Sequence, residues 1–152
     1  MISYSAQIFK DLILKLKVGT QNGRASVSKP LFIFSVLELI NEGVLIENKL
    51  YHDNTSLRER YKVNVLKYLG AINTQFGPFF TRPFYHLNSE PFYELVWKGE
   101  TRLPTNSYTP SAKYLRENLE YAKLDEGLWE LLQDPENRAY LKQAIFDRYL
   151  KN

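Results

Sequence analysis

"PLFIFSVLELINEG" (residues 30–43) is the stretch that decides the fold. It is apolar at most positions, begins with Pro30 where a helix tolerates proline, and ends at Gly43, a residue typical of the position after a helix. The stretch is too long for a strand and has too few β-branched residues. It therefore predicts a buried central helix around which the other elements pack.

The residues before the central helix predict a second helix and a loop. From Tyr4 to Val18 the apolar residues recur at helical spacing, with Ile8, Leu12 and Leu16 expected on the buried face. "GTQNGRASVSKP" (19–30) contains two glycines and a proline and predicts a loop.

Helix-start signals recur after the central helix. Asn54–Thr55–Ser56 offers an N-cap for a helix from about Leu57 to Leu69. Further helices are expected at three places: from Pro110–Ser111 to about Tyr121, after a cap at Asp125, and after Asp134–Pro135.

Two short segments alternate well enough to predict strands, "FYHL" (84–87) and "FYELVW" (92–97), joined by "NSEP" (88–91). Phe84, Leu87, Phe92 and Leu95 are expected in the core, as are Trp97 and Trp129. The sequence thus predicts an α+β fold: a mainly helical single domain over residues 1–152 with a small antiparallel β-hairpin.

Composition excludes several classes of protein. The 152 residues include no cysteine, which excludes a disulfide framework and thiolate metal sites and fits a reducing compartment. No apolar run is long enough for a membrane span, so a cytoplasmic protein is expected. We expect no cofactor and no bound metal, because the two histidines, His52 and His86, have no ligand partners at characteristic spacings. No phosphate-binding glycine motif occurs either, so no catalytic residue is predicted.

The positive charge is concentrated in the first two-thirds of the chain. Residues 1–70 carry ten basic and six acidic side chains (+4), residues 71–116 five and three (+2), and residues 117–152 five and eight (−3). Such asymmetry favours a surface that faces a polyanion. Ordinary charge scatter is the alternative.

Basic residues gather in and near the irregular segments: Arg24, Lys29, Arg82, Lys98, Arg102, Lys113 and Arg116. Cations so placed suit phosphate contact, because they release condensed counterions when DNA binds. No helix-turn-helix, zinc-finger or basic-zipper signature is present. Taken singly, each cation is better explained as a solvated surface residue, and it is the group that favours phosphate contact.

Three blocks, in order, resemble the sulfur-binding domain (SBD) that precedes the nuclease domain of phosphorothioate-dependent HNH restriction endonucleases. They are "SKPLFIFSVLELINEGVL" (28–45), "RPFYHLNSEPFYEL" (82–95) and "PSAKYLRENLEYAKLDEGLWELLQDPENRAYLKQAIFDRYL" (110–150). The resemblance implies a module of bacterial restriction that binds double-stranded DNA in which sulfur replaces a non-bridging phosphate oxygen. It also implies an HNH nuclease domain or subunit as a partner. The 152 residues contain no histidine- and cysteine-bearing ββα segment of the HNH type.

The resemblance also implies which residues bind DNA. Its apolar sulfur pocket corresponds to Arg82, Pro83 and His86, with Ser28 and Lys29 beside it and Lys113, then Arg116, on a later helix. Arg82 stands where the family often has an aromatic residue, and Tyr85 is a candidate for the missing wall. Arg24 in the preceding loop completes the predicted DNA- and sulfur-binding set.

Two alternatives remain open at this stage. The first is a protein-interaction or general DNA-binding domain that has the same fold but has lost sulfur selectivity, which the Arg82 substitution favours. A metal-dependent nuclease would require carboxylates clustered with His52 or His86.

Overall fold

The computed structural model describes residues 2–17, 20–21, 24–25, 27–70, 80–99 and 109–151, with only the backbone described at 20–21 and 24–25. The predicted central helix is confirmed as α2, Ser28–Asn41, which has Pro30 in its first turn and buries ten of its residues. Gly43, with φ 73°, adopts the left-handed conformation that ends it. The one buried polar side chain within α2, Ser35, donates to the Leu31 carbonyl and accepts from the Asn64 amide at 2.9 Å.

Three other helices surround α2: α1 (Tyr4–Leu14) before it, and α3 (Thr55–Tyr68) and α7 (Pro135–Ile145) after it. α3 and α7 pack directly on α2, and α1 packs on α7. The predicted buried face of this segment is confirmed in part: Leu16 is buried and Leu12 packs against the core, whereas Ile8 is 45% exposed and Ala6 and Ile13 are buried instead. The chain then continues from α7 through a π-helical turn, Phe146–Leu150.

The predicted N-caps are confirmed. The Asn54 side chain accepts from the Leu57 amide at the start of α3, and Asp134 caps α7 in the same way through Glu136. Ser111 caps α5 (Ala112–Asn118), and Asp125 caps α6 (Glu126–Leu131).

The predicted hairpin at 84–97 is wrong in its first half. Thr81–His86 is a short helix, α4, followed by a 3-10 turn at Leu87–Ser89, and Pro83 is accommodated in its first turn, where no backbone donor is required. The second predicted strand is confirmed as β3, Tyr93–Trp97.

The partner of β3 is β4, Leu119–Leu124, in a stretch whose first half, to about Tyr121, was predicted to be helical. The strands are antiparallel, with Leu95 opposite Ala122, and Leu50 pairs with Ala122 from the other side. A second antiparallel pair, β1 (Thr20–Gln21) and β2 (Arg24–Ala25), lies in the predicted loop. The mainly helical α+β class is confirmed.

Within the described ranges, no helix combines the length and the apolar character needed to cross a membrane.

Candidate DNA-binding site

Helix α4 is anchored to the core along one side. Phe84 and Leu87 are fully buried, and the Phe84 ring packs against Phe32 at 6.1 Å between ring centroids. The Tyr93 hydroxyl donates to the Phe84 carbonyl at 2.5 Å, which ties the helix to β3. With this side fixed, the opposite side presents Arg82, which is exposed, and His86, which is half-buried.

Pro83 and Tyr85, the predicted apolar members of the site, both lie buried between these two polar residues. The Tyr85 ring is 9% exposed and meets the His86 ring nearly edge-on, with 5.0 Å between centroids. Two buried side chains, Pro83 and Tyr85, therefore flank the polar face of α4, and we call them its apolar layer.

Lys29 is held by three acceptors. Its Nζ donates to the Lys17 carbonyl at 2.7 Å, to Ser89 Oγ at 3.1 Å and to Glu90 Oε2 at 3.1 Å. Three donors are all that an ammonium has. The Glu90 side chain is only 4% exposed and also accepts from the Lys17 amide. Lys29 thus joins the segment after α1, the start of α2 and the turn after α4.

The role of Glu90 was missed in the sequence. It is the only acidic residue between Glu59 and Glu94, so a lone carboxylate within a basic segment was the available signal.

His86 lies next to these cations. Burial, and then the charges of Lys29 and Arg82, lower its pKa, so the ring is uncharged near pH 7. The His86 Nε2 is 2.8 Å from Thr109 Oγ1, a contact that joins α4 to the segment before α5.

Helix α5 contributes two exposed cations, Lys113 and Arg116, one turn apart. Burial, and to a lesser extent Tyr114 of α5, raises the pKa of the Tyr85 hydroxyl, which places the start of α5 beside α4. Ser28 is half-buried in the first turn of α2. The Arg24 side chain and all of Arg102 lie outside the described residues.

His52, which the sequence left without a role, belongs to a second polar group beside α4. Its Nε2 is 2.8 Å from Thr81 Oγ1, and Arg58 contacts its ring nitrogens through Nη2 at 2.9 and 3.1 Å. Burial, followed by the Arg58 charge, lowers the pKa of His52 to about 4. Among the described residues, no group of three or more histidine, aspartate or glutamate side chains is arranged to hold a metal ion.

No protein-family model matches the sequence, and no curated protein matches it. Solved structures do match. One, described as the sulfur binding domain and SRA domain of ScoMcrA complexed with phosphorothioated DNA, has a TM-score of 0.70 and 16% identity over 93% of this chain. A second, the sulfur binding domain of ScoMcrA complexed with phosphorothioated DNA, has a TM-score of 0.68 and 15% identity, also over 93%.

The chain has the fold of a sulfur-binding domain. The resemblance inferred from the sequence is thus confirmed for the fold. The chain spans 42% of the first matched chain, which also contains the SRA domain, and 86% of the second.

Proposed function

We propose that this chain binds double-stranded DNA carrying phosphorothioate links, and that the sulfur is recognised at α4. One observation carries the proposal. Exposed Arg82 and uncharged His86 lie one turn apart beside the buried Pro83 and Tyr85, in a fold that the chain shares with two solved complexes with phosphorothioated DNA.

Sulfur selectivity would arise from desolvation. Sulfur is larger, more polarisable and more weakly hydrated than oxygen, so it can leave water for the apolar layer formed by Pro83 and Tyr85 at little cost. A phosphate oxygen that enters the same place loses hydrogen bonds to water. An uncharged His86 suits such a contact better than an imidazolium would, because it adds no charge that favours oxygen.

The exposed cations would hold the rest of the phosphate and its neighbours. Arg82 is nearest the proposed sulfur contact, and its guanidinium can donate two parallel hydrogen bonds to one phosphate. Lys113 and Arg116 would contact phosphates along the backbone and position the protein without selecting sulfur. Arg24 and Ser28 belong to the same proposed surface.

Lys29 takes a different part in this proposal. Because its ammonium is already bound to Glu90 and two other acceptors, it positions the turn after α4, and its charge helps to keep His86 uncharged.

We propose no catalysis by this chain alone. As a DNA-binding module of bacterial restriction, it would act in the cytoplasm, where the DNA is, and cleavage would come from an HNH nuclease domain or subunit.

The test is fluorescence anisotropy against two short duplexes that differ in one phosphorothioate of defined stereochemistry, at two salt concentrations. We expect at least tenfold tighter binding to the sulfur duplex, about 1.4 kcal/mol. Equal, salt-dependent binding to both would instead favour a general DNA-binding domain. Absence of binding at low salt would favour a protein-interaction domain.

A further inference from the structure

A cleft of about 330 Å³ opens between the start of α3, α5 and the end of β3. We call it the α3–α5 cleft. Three of its lining residues are cations (Arg58, Lys98 and Arg116), and two are acids (Asp53 and Glu120).

Arg58 forms the inner wall of the α3–α5 cleft. Its guanidinium lies over the Phe80 ring at 4.5 Å, and its Nε donates to the His52 carbonyl at 2.6 Å. No carboxylate within the described ranges lies at ion-pair distance from it, and its Nη1 has no hydrogen-bond acceptor there. Burial lowers the pKa of Arg58, and the charge of Asp53, which lies in the same cleft, opposes this shift only in part. A half-buried guanidinium without a paired carboxylate is suited to an anionic ligand.

The two other cations of the α3–α5 cleft also favour an anionic ligand. Lys98 and Arg116 are exposed at its rim, and the Lys98 Nζ donates to the Arg116 carbonyl at 3.2 Å, which holds the two together. His52 is uncharged near pH 7, so although it lies against Arg58 Nη2 it brings no negative charge that would neutralise the guanidinium.

The α3–α5 cleft is adjacent to the proposed sulfur contact. The His52–Thr81 hydrogen bond joins its wall to the first residue of α4, two positions before Pro83. Arg116 lies one turn after Lys113 on α5. DNA that lies across α4 would therefore bring further phosphates to this opening.

We propose that the α3–α5 cleft binds a second backbone phosphate of the same DNA, with Arg58 and Lys98 as its donors. The inference rests on the proposed function in that the ligand is DNA, but it does not depend on sulfur. The phosphate at this position would be an ordinary one.

The experiment measures the affinity of Lys98→Gln and Arg58→Gln for the sulfur duplex and its unmodified counterpart. We expect each variant to bind both duplexes about five- to tenfold more weakly at 0.1 M salt. The slope of log K against log salt should fall by about 0.9, as for the loss of one phosphate contact. The ratio of the two affinities should stay as in the wild type.

Lys142→Gln is the matched control. Lys142 on α7 pairs with Glu38, nine residues beyond Lys29 in α2, or about 14 Å along the helix axis, and does not line the α3–α5 cleft, so its loss removes the same charge outside that site. Because Arg58 also supports His52, the fold of Arg58→Gln is checked by circular dichroism. If Arg58→Gln is unfolded, the result for Lys98→Gln, whose side chain is exposed at the rim, decides the test.

The outcomes separate the two proposals. If the wild type prefers sulfur and Lys98→Gln behaves like Lys142→Gln, the α3–α5 cleft proposal is overturned and the proposed function stands. If the wild type binds both duplexes equally and Lys98→Gln still loses affinity and slope, the cleft proposal stands and sulfur recognition fails. A wild type that does not bind DNA overturns both.

Discussion

The two histidines have similar local surroundings, but they lie in regions with different neighbours. Each is half-buried, bonded to a threonine hydroxyl at 2.8 Å, and has a pKa lowered by burial and by nearby cations. His86 adjoins Tyr85 and Pro83 on α4, whereas His52 faces the cationic α3–α5 cleft through Arg58. From this difference we propose that the first region is selective for sulfur and that the second binds ordinary phosphate.

The largest effect should come from breaking the ion pair that supports the first region. Glu90→Ala leaves the Lys29 ammonium without its carboxylate in a largely buried place, and we expect it to lower the free energy of unfolding by about 3 kcal/mol. Glu120→Ala, an exposed acid of the α3–α5 cleft, should change it by less than about 0.5 kcal/mol. Urea denaturation measures both, and equal effects would mean that the Lys29–Glu90 pair does not support α4.

A smaller effect on stability should come from His52 and should depend on pH. The pKa of His52 is lower in the folded chain (about 4) than in the unfolded chain (about 6.5), so the unfolded state binds more protons between these values. His52 therefore opposes folding increasingly as the pH falls from 6.5 to 4, and its contribution is constant above 6.5. The free energy of unfolding, measured by urea denaturation, should fall between pH 7 and pH 4.5 by about 2 kcal/mol less in His52→Gln than in the wild type. A wild-type loss that His52→Gln leaves unchanged would contradict the assigned pKa.

The sequence predicts the elements that have local signals and misses those that depend on distant contacts. α2, α3 and α7 were predicted because each has either a long apolar pattern or a clear cap residue just before it. α4 was missed because the aromatic residues of "FYHL" (84–87), which follow a proline, favour a strand, and the Tyr93–Phe84 hydrogen bond that anchors the helix comes from a later element. β4 was missed for a similar reason, since its pairing with β3 and Leu50 is not local.

The candidate site was predicted in part. The three blocks of resemblance selected Lys29, Arg82 and His86, and the structure places the two cations close enough to His86 for their charges to lower its pKa. They did not indicate that Glu90, 61 positions after Lys29, holds that cation, because ion pairing across the chain leaves no periodic signal. The α3–α5 cleft was missed because its residues come from four separate segments.

His86→Ala tests the role of the first region in DNA binding. Removal of the ring opens the apolar layer to water, so we expect the ratio of sulfur to oxygen affinity to fall about tenfold, or 1.4 kcal/mol. Affinity for the unmodified duplex should change little. Anisotropy titrations with both duplexes measure the ratio, and an equal loss for the two would mean that His86 contributes only to phosphate binding.

The smallest effect is expected from Lys113→Gln. One exposed phosphate contact should be lost, which weakens binding to both duplexes about fivefold at 0.1 M salt and leaves their ratio unchanged. The same titrations with Lys142→Gln provide the control for charge. A changed ratio in Lys113→Gln would place sulfur recognition on α5 as well.

The most direct test follows the backbone amides of the isotope-labelled chain by NMR while the sulfur duplex or its unmodified counterpart is added. The account predicts that the two sets of shift changes agree over α5 and the α3–α5 cleft and differ at Thr81–His86. Differences centred on α5 or the α3–α5 cleft, or identical shifts throughout with both duplexes bound, would contradict recognition of sulfur at α4.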